Sequence, residues 1–169
     1  MSNHDILTTE RLVFREFHLD DAAFFLRLNS DWEVMKYTGD VAFKDIEEAR
    51  DLVRNYDHYR QYGYGRWTVF LRESMERIGW CGLKNHPDEG YIDLGYRFER
   101  QHWGRGYATE AAEASIAYGF DTLNMNWIVG RTASENKGSI RVLEKVGMTF
   151  WKKAPCEGIV DSLFYEIRK

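Results

Sequence analysis

The sequence predicts an α+β (mixed α/β) fold: a central mixed, mostly antiparallel twisted sheet of about six to seven strands, with helices on both faces. Three observations predict it. Between 67 and 98, three β-branched and aromatic runs follow one another across short turns, the pattern of an antiparallel meander. Segments with helical periodicity, 44–59 and 107–122, lie on either side of that meander. The full order, β-α-α-β-β-β-α-β-α-β-β, interleaves both element types along one chain. The 169 residues fit a single domain, 1–169, and 44% hydrophobic residues can fill its core. Two prolines, no repeat and no low-complexity tract leave no linker to divide it.

Each element has its own justification. Leu12, Phe14 and Phe17 near-alternate with Arg11, Arg15 and Glu16, a first strand over 11–17. Asp20 and Asp21 precede "AAFFLRLNS" and place acids at the positive end of a helix whose apolar stripe is Phe24, Phe25 and Leu28. "DWEVMKYTGD" reads as a loop. Ile46, Ala49, Leu52, Val53 and Tyr56 then recur at helical spacing within 44–59. After the turn "GYGRW" come strands at 67–71, 77–84 and, past "NHPDEG", 91–98. A helix over 107–122, a strand at 127–132, a helix over 139–146 and strands at 149–152 and 163–168 complete the chain.

Charge and cysteine usage exclude several functions. Against 23 basic residues stand 27 acidic ones, a net charge of −4, which is a poor basis for holding nucleic acid by counterion release. A local basic patch still suits a small anion. No run approaches the roughly 20 apolar residues of a membrane helix, and the charged start "MSNHDILTTERLVFREF" does not read as a signal peptide. A cytoplasmic protein with neither membrane nor nucleic-acid partner is expected, as a monomer or homodimer. Cys81 and Cys156 are far apart and form no C-x-x-C pair, so no metal site or redox motif is expected, only reduced, buried thiols.

The stretch "RQHWGRGYATEAA" (100–112) places G-x-G between a strand and a helix. The first N–H groups of a helix lack internal partners and carry the positive end of the dipole, and glycine removes the Cβ atoms that would hold an anion away. Gly104 and Gly106 thus suit a phosphate or pyrophosphate, with Arg100 and Arg105 adding charge. No Walker Lys-Ser/Thr follows, and Thr109 stands where a dinucleotide fingerprint needs its third glycine. A coenzyme A pyrophosphate loop is the remaining anion reading. An isolated G-x-G is more often a plain tight connection, so the surrounding sequence has to decide.

It does so through three spaced motifs. Gln101-His102-Trp103-Gly104-Arg105-Gly106 fits the Q/R-x-x-G-x-G/A signature of GNAT-fold N-acetyltransferases. "TERLVFREFHLDDAAFFLRLNSDWEVMKYTGD" and "YIDLGYRFERQHWGRGYATEAA" resemble the branch of ribosomal-protein alanine acetyltransferases (RimJ/RimL-like). "ENKGSIRVLEKVGMTF" is similar to that branch's N-x-x-S-x-x-V-L-E-K-x-G segment. The resemblance runs from Thr9 to about Phe150. It implies a GNAT fold and acetyl-CoA as donor. Backbone amides at Gln101, His102, Trp103, Gly104, Arg105, Gly106, Tyr107 and Ala108 would hold the pyrophosphate. The strand edge at Tyr96, Arg97 and Phe98 would pair with the pantetheine arm. Asn136 would face that arm, although its position also suits a helix N-cap.

The resemblance further implies direct transfer in a ternary complex. Many GNAT enzymes carry a tyrosine acid seven residues after the asparagine; here that position is Leu143. Ser139 takes the branch's serine position near the sulfur, and Asp93 stands for the branch's strand glutamate as a base, direct or through water. Neither cysteine falls at a nucleophile position. The segment "NYDHYRQYGYGRW" reads as an aromatic helix end packed on the sheet, with one or two side chains reaching an acceptor cleft. Trp32, Met35, Tyr62, Trp67 and Trp80 are the candidates for its wall. His58 and His102 are expected at the surface. The acceptor is an amine, either a protein N-terminus or a small amine. A non-catalytic acyl-CoA sensor on the same fold is the alternative.

Overall fold

A computed structural model describes residues 4–169. A hairpin of β1 (Leu7–Thr8) and β2 (Leu12–Arg15) pairs through β2 with β3 (Arg66–Leu71). Four helices fill the connection: α1 (Ala22–Leu28), α2 (Trp32–Met35), α3 (Ile46–Asn55) and α4 (His58–Tyr62). The single helix expected over 44–59 divides at Tyr56, whose backbone is extended and whose phenol turns inward to accept the Arg66 N–H. The loop expected at 31–40 contains α2, opened by Asp31 accepting the Glu33 N–H. Four residues are too few to display a helical period.

β3, β4 (Arg77–His86) and β5 (Tyr91–Phe98) form the antiparallel meander. α5 (Tyr107–Asp121) then returns the chain to β6 (Trp127–Ala133), which lies parallel to β5. α6 (Lys137–Lys145) leads to the hairpin of β7 (Thr149–Cys156) and β8 (Ile159–Arg168), with β8 inserted beside β6. The sheet order is β1-β2-β3-β4-β5-β6-β8-β7. Among the described residues eight strands stand where six to seven were expected, because the two-residue β1 is too short to alternate. The last hairpin is also longer than its two predicted cores, and Pro155 is tolerated because β7 is an edge strand.

Strand alternation divides the core between the two faces. On β4, Cys81 and Leu83 join Leu12, Trp67, Leu94, Ala112, Ile116 and Leu143 in the main core with α5 and α6. Trp80, next to Cys81, packs with Phe24, Phe25 and Leu28 of α1, joined by Val53 of α3, on the other face. The ladder between β5 and β6 is short: Asp93 pairs with Val129, Leu94 with Gly130, and no further. Beyond Leu94 the strands part. Gly95, Tyr96, Arg97 and Phe98 keep β4 on one side and, among the described residues, have no strand on the other.

Candidate active site

A cavity of about 890 Å³ opens where β5 and β6 part. Its walls are the free edge of β5, the loop leading into α5, and the start of α6.

The loop is built to present backbone N–H groups. Gly104 and Gly106 both lie in the left-handed region, at φ +73° and +80°, where a side chain costs about 1–2 kcal/mol. Gly106 caps α5 with no side-chain bond, and Tyr107, Ala108 and Thr109 line the cavity with the helix's unpaired first turn. Arg11, in the β1–β2 turn, fastens this loop. Its Nε donates to Glu110 at 2.7 Å, its Nη1 to the Arg105 carbonyl at 2.9 Å, and its guanidinium stacks 4.5 Å over Tyr107. Burial would raise the Glu110 pKa, but bonds from Thr9 and Arg11 hold it lower and keep the carboxylate ionised. Trp103 donates its indole N–H to the Phe98 carbonyl at 2.8 Å and ties the loop to the end of β5.

Positive charge comes from a different place than the sequence suggested. Arg100 turns to Asp31, and neither it, Arg105 nor Gln101 lines the cavity; Gln101 bonds Glu99 instead. Lys137, Arg141 and Lys145 of α6 line the wall. Their i, i+4, i+8 spacing was readable as one helical stripe. A seat of free N–H groups, with no Cβ on its glycines and three cations on the facing helix, fits a pyrophosphate. His102 also departs from expectation. It is buried at 7% exposure, with its Nε2 3.3 Å from Glu76, because the loop folds its ring inward against Tyr107.

Ser139 and Asn136 meet where the strands part. Asn136 caps α6 by accepting the Ser139 N–H at 3.1 Å, and it also lines the cavity. Tyr96 reaches across from β5. Its hydroxyl is 2.8 Å from Ser139 Oγ and donates to the Ser139 carbonyl at 3.1 Å. Burial pushes the Tyr96 phenol well above its ordinary pKa. Leu143, at the position of the absent tyrosine, is 1% exposed in the main core.

Asp93 is not free to act as the base proposed from the sequence. It is 3% exposed and lies against Arg66 at 3.0 Å, His86 at 2.9 Å and Arg131 at 3.3 Å. Burial alone would raise its pKa. The Arg66 guanidinium, the His86 bond and Arg131 outweigh that and hold the carboxyl well below the usual range. A carboxylate so held is a poor proton acceptor. Arg66 also donates to the Gly82 and Asp93 carbonyls. It lies where a side chain on Gly95 would be: a Cβ there would come within 2.5 Å of Arg66 Nη2. Arg66 and Arg131 escaped the sequence reading because arginine in a strand ordinarily marks a solvated face. Alternation against buried Trp67 and Ile128 puts both on the sheet face opposite the main core, the signal that could have found them.

Among the five acceptor-wall candidates, only Trp80 lines the cavity, with Arg66 and Arg97 over its ring at 5.4 and 5.3 Å. Trp67 is in the main core at 1% exposure, packed edge-on against Phe14 and Tyr118. Met35 is buried, while Trp32 and Tyr62 are exposed outside the cavity wall. Tyr37, Thr38 and Tyr56 line it in their place. Tyr59 is spent on structure, accepting the Phe17 N–H and donating to the Arg66 carbonyl. His58 is half-buried rather than on the surface. Its Nε2 accepts the Asn85 N–H, and burial, then Arg66, lower its pKa. Burial pushes the Cys81 thiol up to about 12, so it is inert. Cys156 is half-buried on the cavity wall, with Arg131 Nη1 2.9 Å from its sulfur. Among the described residues, no helix is long and apolar enough to cross a membrane.

Comparison with known proteins accords with this geometry. The family described as Acetyltransferase (GNAT) domain matches residues 11–149. An uncharacterised N-acetyltransferase, p20, of Bacillus licheniformis is 37% identical over 144 residues, covering 84% of this chain and 81% of its own. A solved GNAT-family acetyltransferase from Bacillus anthracis superimposes with a TM-score of 0.80 at 29% identity, covering 96% of this chain and 97% of its own. A spermidine N-acetyltransferase from Vibrio cholerae, solved with CoA and spermine, has a TM-score of 0.79 at 19% identity, covering 95% of this chain and 96% of its own, a likeness of fold alone.

Proposed function

The chain belongs to the GNAT acetyltransferases, and from that premise we propose which amine it acetylates and how its cleft divides the work. The enzyme is an N-acetyltransferase with acetyl-CoA as donor, which supplies the acetyl group as a thioester. In our reading the G-x-G loop and the α6 cations hold the pyrophosphate. The free edge of Gly95–Phe98 carries the pantetheine arm back to the fork at Leu94. Ser139 donates a hydrogen bond to the departing sulfur, and Trp80 and Tyr56 flank the incoming amine. Transfer is direct, with acceptor and donor held together.

The state of Asp93 carries the choice of acceptor. Held ionised by two guanidiniums, it is a weak base, so the amine has to arrive neutral. An α-amino group, with a pKa of roughly 7.7–8.0, is about one-quarter to two-fifths neutral at about pH 7.5, whereas of an alkyl amine near roughly 10.4 only about one molecule in a thousand is. Arg66 and Arg131 also oppose a second cation at the fork. We therefore assign an α-amine, as at a protein N-terminus or on a small molecule of that type, in keeping with the RimJ/RimL-like resemblance.

Thiol release from acetyl-CoA tests this with three acceptors: a short peptide with a free N-terminus, an N-terminally blocked lysine, and spermidine. At pH 7.5 the peptide is expected to react at least tenfold faster (kcat/KM), the gap to blocked lysine closing as the pH rises. Spermidine as the preferred acceptor would overturn the assignment.

A further inference from the structure

The absence of a phenol at Leu143 does not leave the fork without one. Tyr96 reaches the same serine from the opposite wall. Its hydroxyl sits 2.8 Å from Ser139 Oγ and 3.1 Å from the Ser139 carbonyl, and both residues line the cavity. We propose that Tyr96 is a positioning residue that acts through Ser139: it donates a hydrogen bond to Ser139 Oγ and so aims the serine O–H at the departing sulfur. The proposal rests on the reading of Ser139 given above.

The geometry allows two arrangements. In one, Tyr96 donates to the Ser139 carbonyl and the serine hydrogen is spent on the phenol oxygen. In the other, Tyr96 turns its hydrogen to Ser139 Oγ, and the serine hydrogen is free to point into the cleft. Only the second offers a donor to sulfur. A donor that itself accepts a hydrogen bond is a stronger donor, so negative charge growing on sulfur favours the second arrangement as it grows. Both switch positions are already within hydrogen-bond distance of one hydroxyl, so the change needs only two O–H rotations.

The role is that of a fixed donor and not of an acid. As the C–S bond breaks, its electron pair goes to sulfur. The proton that the thiol finally carries is the one the amine loses on becoming an amide. None is taken from Tyr96, and burial keeps the phenol protonated across the working pH range. The fold also fixes the ring: Tyr96 is paired with Cys81 within the β4–β5 ladder, so the phenol is carried by a strand and not by a loop.

Steady-state kinetics of Tyr96→Phe, Ser139→Ala and the double variant, with CoA affinity measured separately, test the proposal. Tyr96→Phe is expected to lower kcat about tenfold, with CoA Kd unchanged. Ser139→Ala is expected to lower it by at least as much, and the double variant to match Ser139→Ala within twofold, since a residue acting through another adds nothing once that other is gone. Multiplicative losses would show that Tyr96 acts independently and overturn the proposal, as would a Tyr96→Phe defect confined to CoA affinity. An alkaline fall in kcat that Tyr96→Phe abolishes would make it a proton donor and overturn the positioning role. A Ser139→Ala variant with full kcat would instead remove the serine reading itself, and a slow Tyr96→Phe beside it would place the phenol in direct contact with sulfur.

Discussion

At the scale of single residues, the site is governed by which charges are already spent. Asp93, Arg66, Arg131 and His86 form one buried cluster, and the stability it confers follows from the depressed Asp93 pKa. The sign follows directly: a carboxylate with a folded pKa below its unfolded value contributes stability above that value and loses it as the pH falls through the folded one. Asp93→Asn should therefore cost about 3–5 kcal/mol near neutrality by leaving two guanidiniums underpaired. In urea titrations the gap to the parent should begin to narrow only below about pH 4. The kcat/KM profile should rise with deprotonation of the acceptor amine itself and show no Asp93 limb between about pH 5 and 9. The Asp93 position was legible in the sequence and its chemistry was not. The family resemblance points to a carboxylate on this strand, whereas its protonation depends on Arg66 and Arg131, 27 residues before and 38 after it in the numbering.

At the scale of elements, the turn between β5 and α5 was legible because its demands are local. Two positive-φ glycines and a helix start can be read within a few residues, and Gly104 and Gly106 adopt those conformations. What holds the turn in place was not legible, because Arg11 and Thr9 reach it from the far end of the sequence through Glu110. The division of the 44–59 segment at Tyr56 was hidden for a similar reason: the phenol bond to the Arg66 N–H that ends α3 is a tertiary contact. A Gly106→Ala variant tests the loop. The alanine would carry about 1–2 kcal/mol of left-handed strain, and its Cβ would meet Arg11 Nη2 at 3.3 Å. The expected outcome is an acetyl-CoA KM raised about tenfold with kcat little changed, measured at saturating acceptor.

At the scale of the whole molecule, order and class of elements followed from periodicity, β-branched and aromatic runs and turn signals, and seven of the eight strands among the described residues overlap segments so marked. The parting of β5 from β6 is a property of the assembled sheet and has no local signature. It also makes the molecule mechanically bipartite. One half-sheet, β1 to β5, and the other, β6 with β8 and β7, are sutured by two residue pairs and bridged by α5 and α6. A ligand lying along the free edge of β5 would stitch that seam, so the fold should be stiffer and harder to melt when it is charged with CoA. Saturation at about 100-fold over Kd corresponds to roughly 2.7 kcal/mol of added stability. Hydrogen exchange should register it as slowed amides at Gly95 to Phe98, with little change in the β2–β3 ladder. The cleft would then act as a load-bearing joint as well as a catalytic one, and the enzyme's persistence in a cell would track its supply of acyl donor.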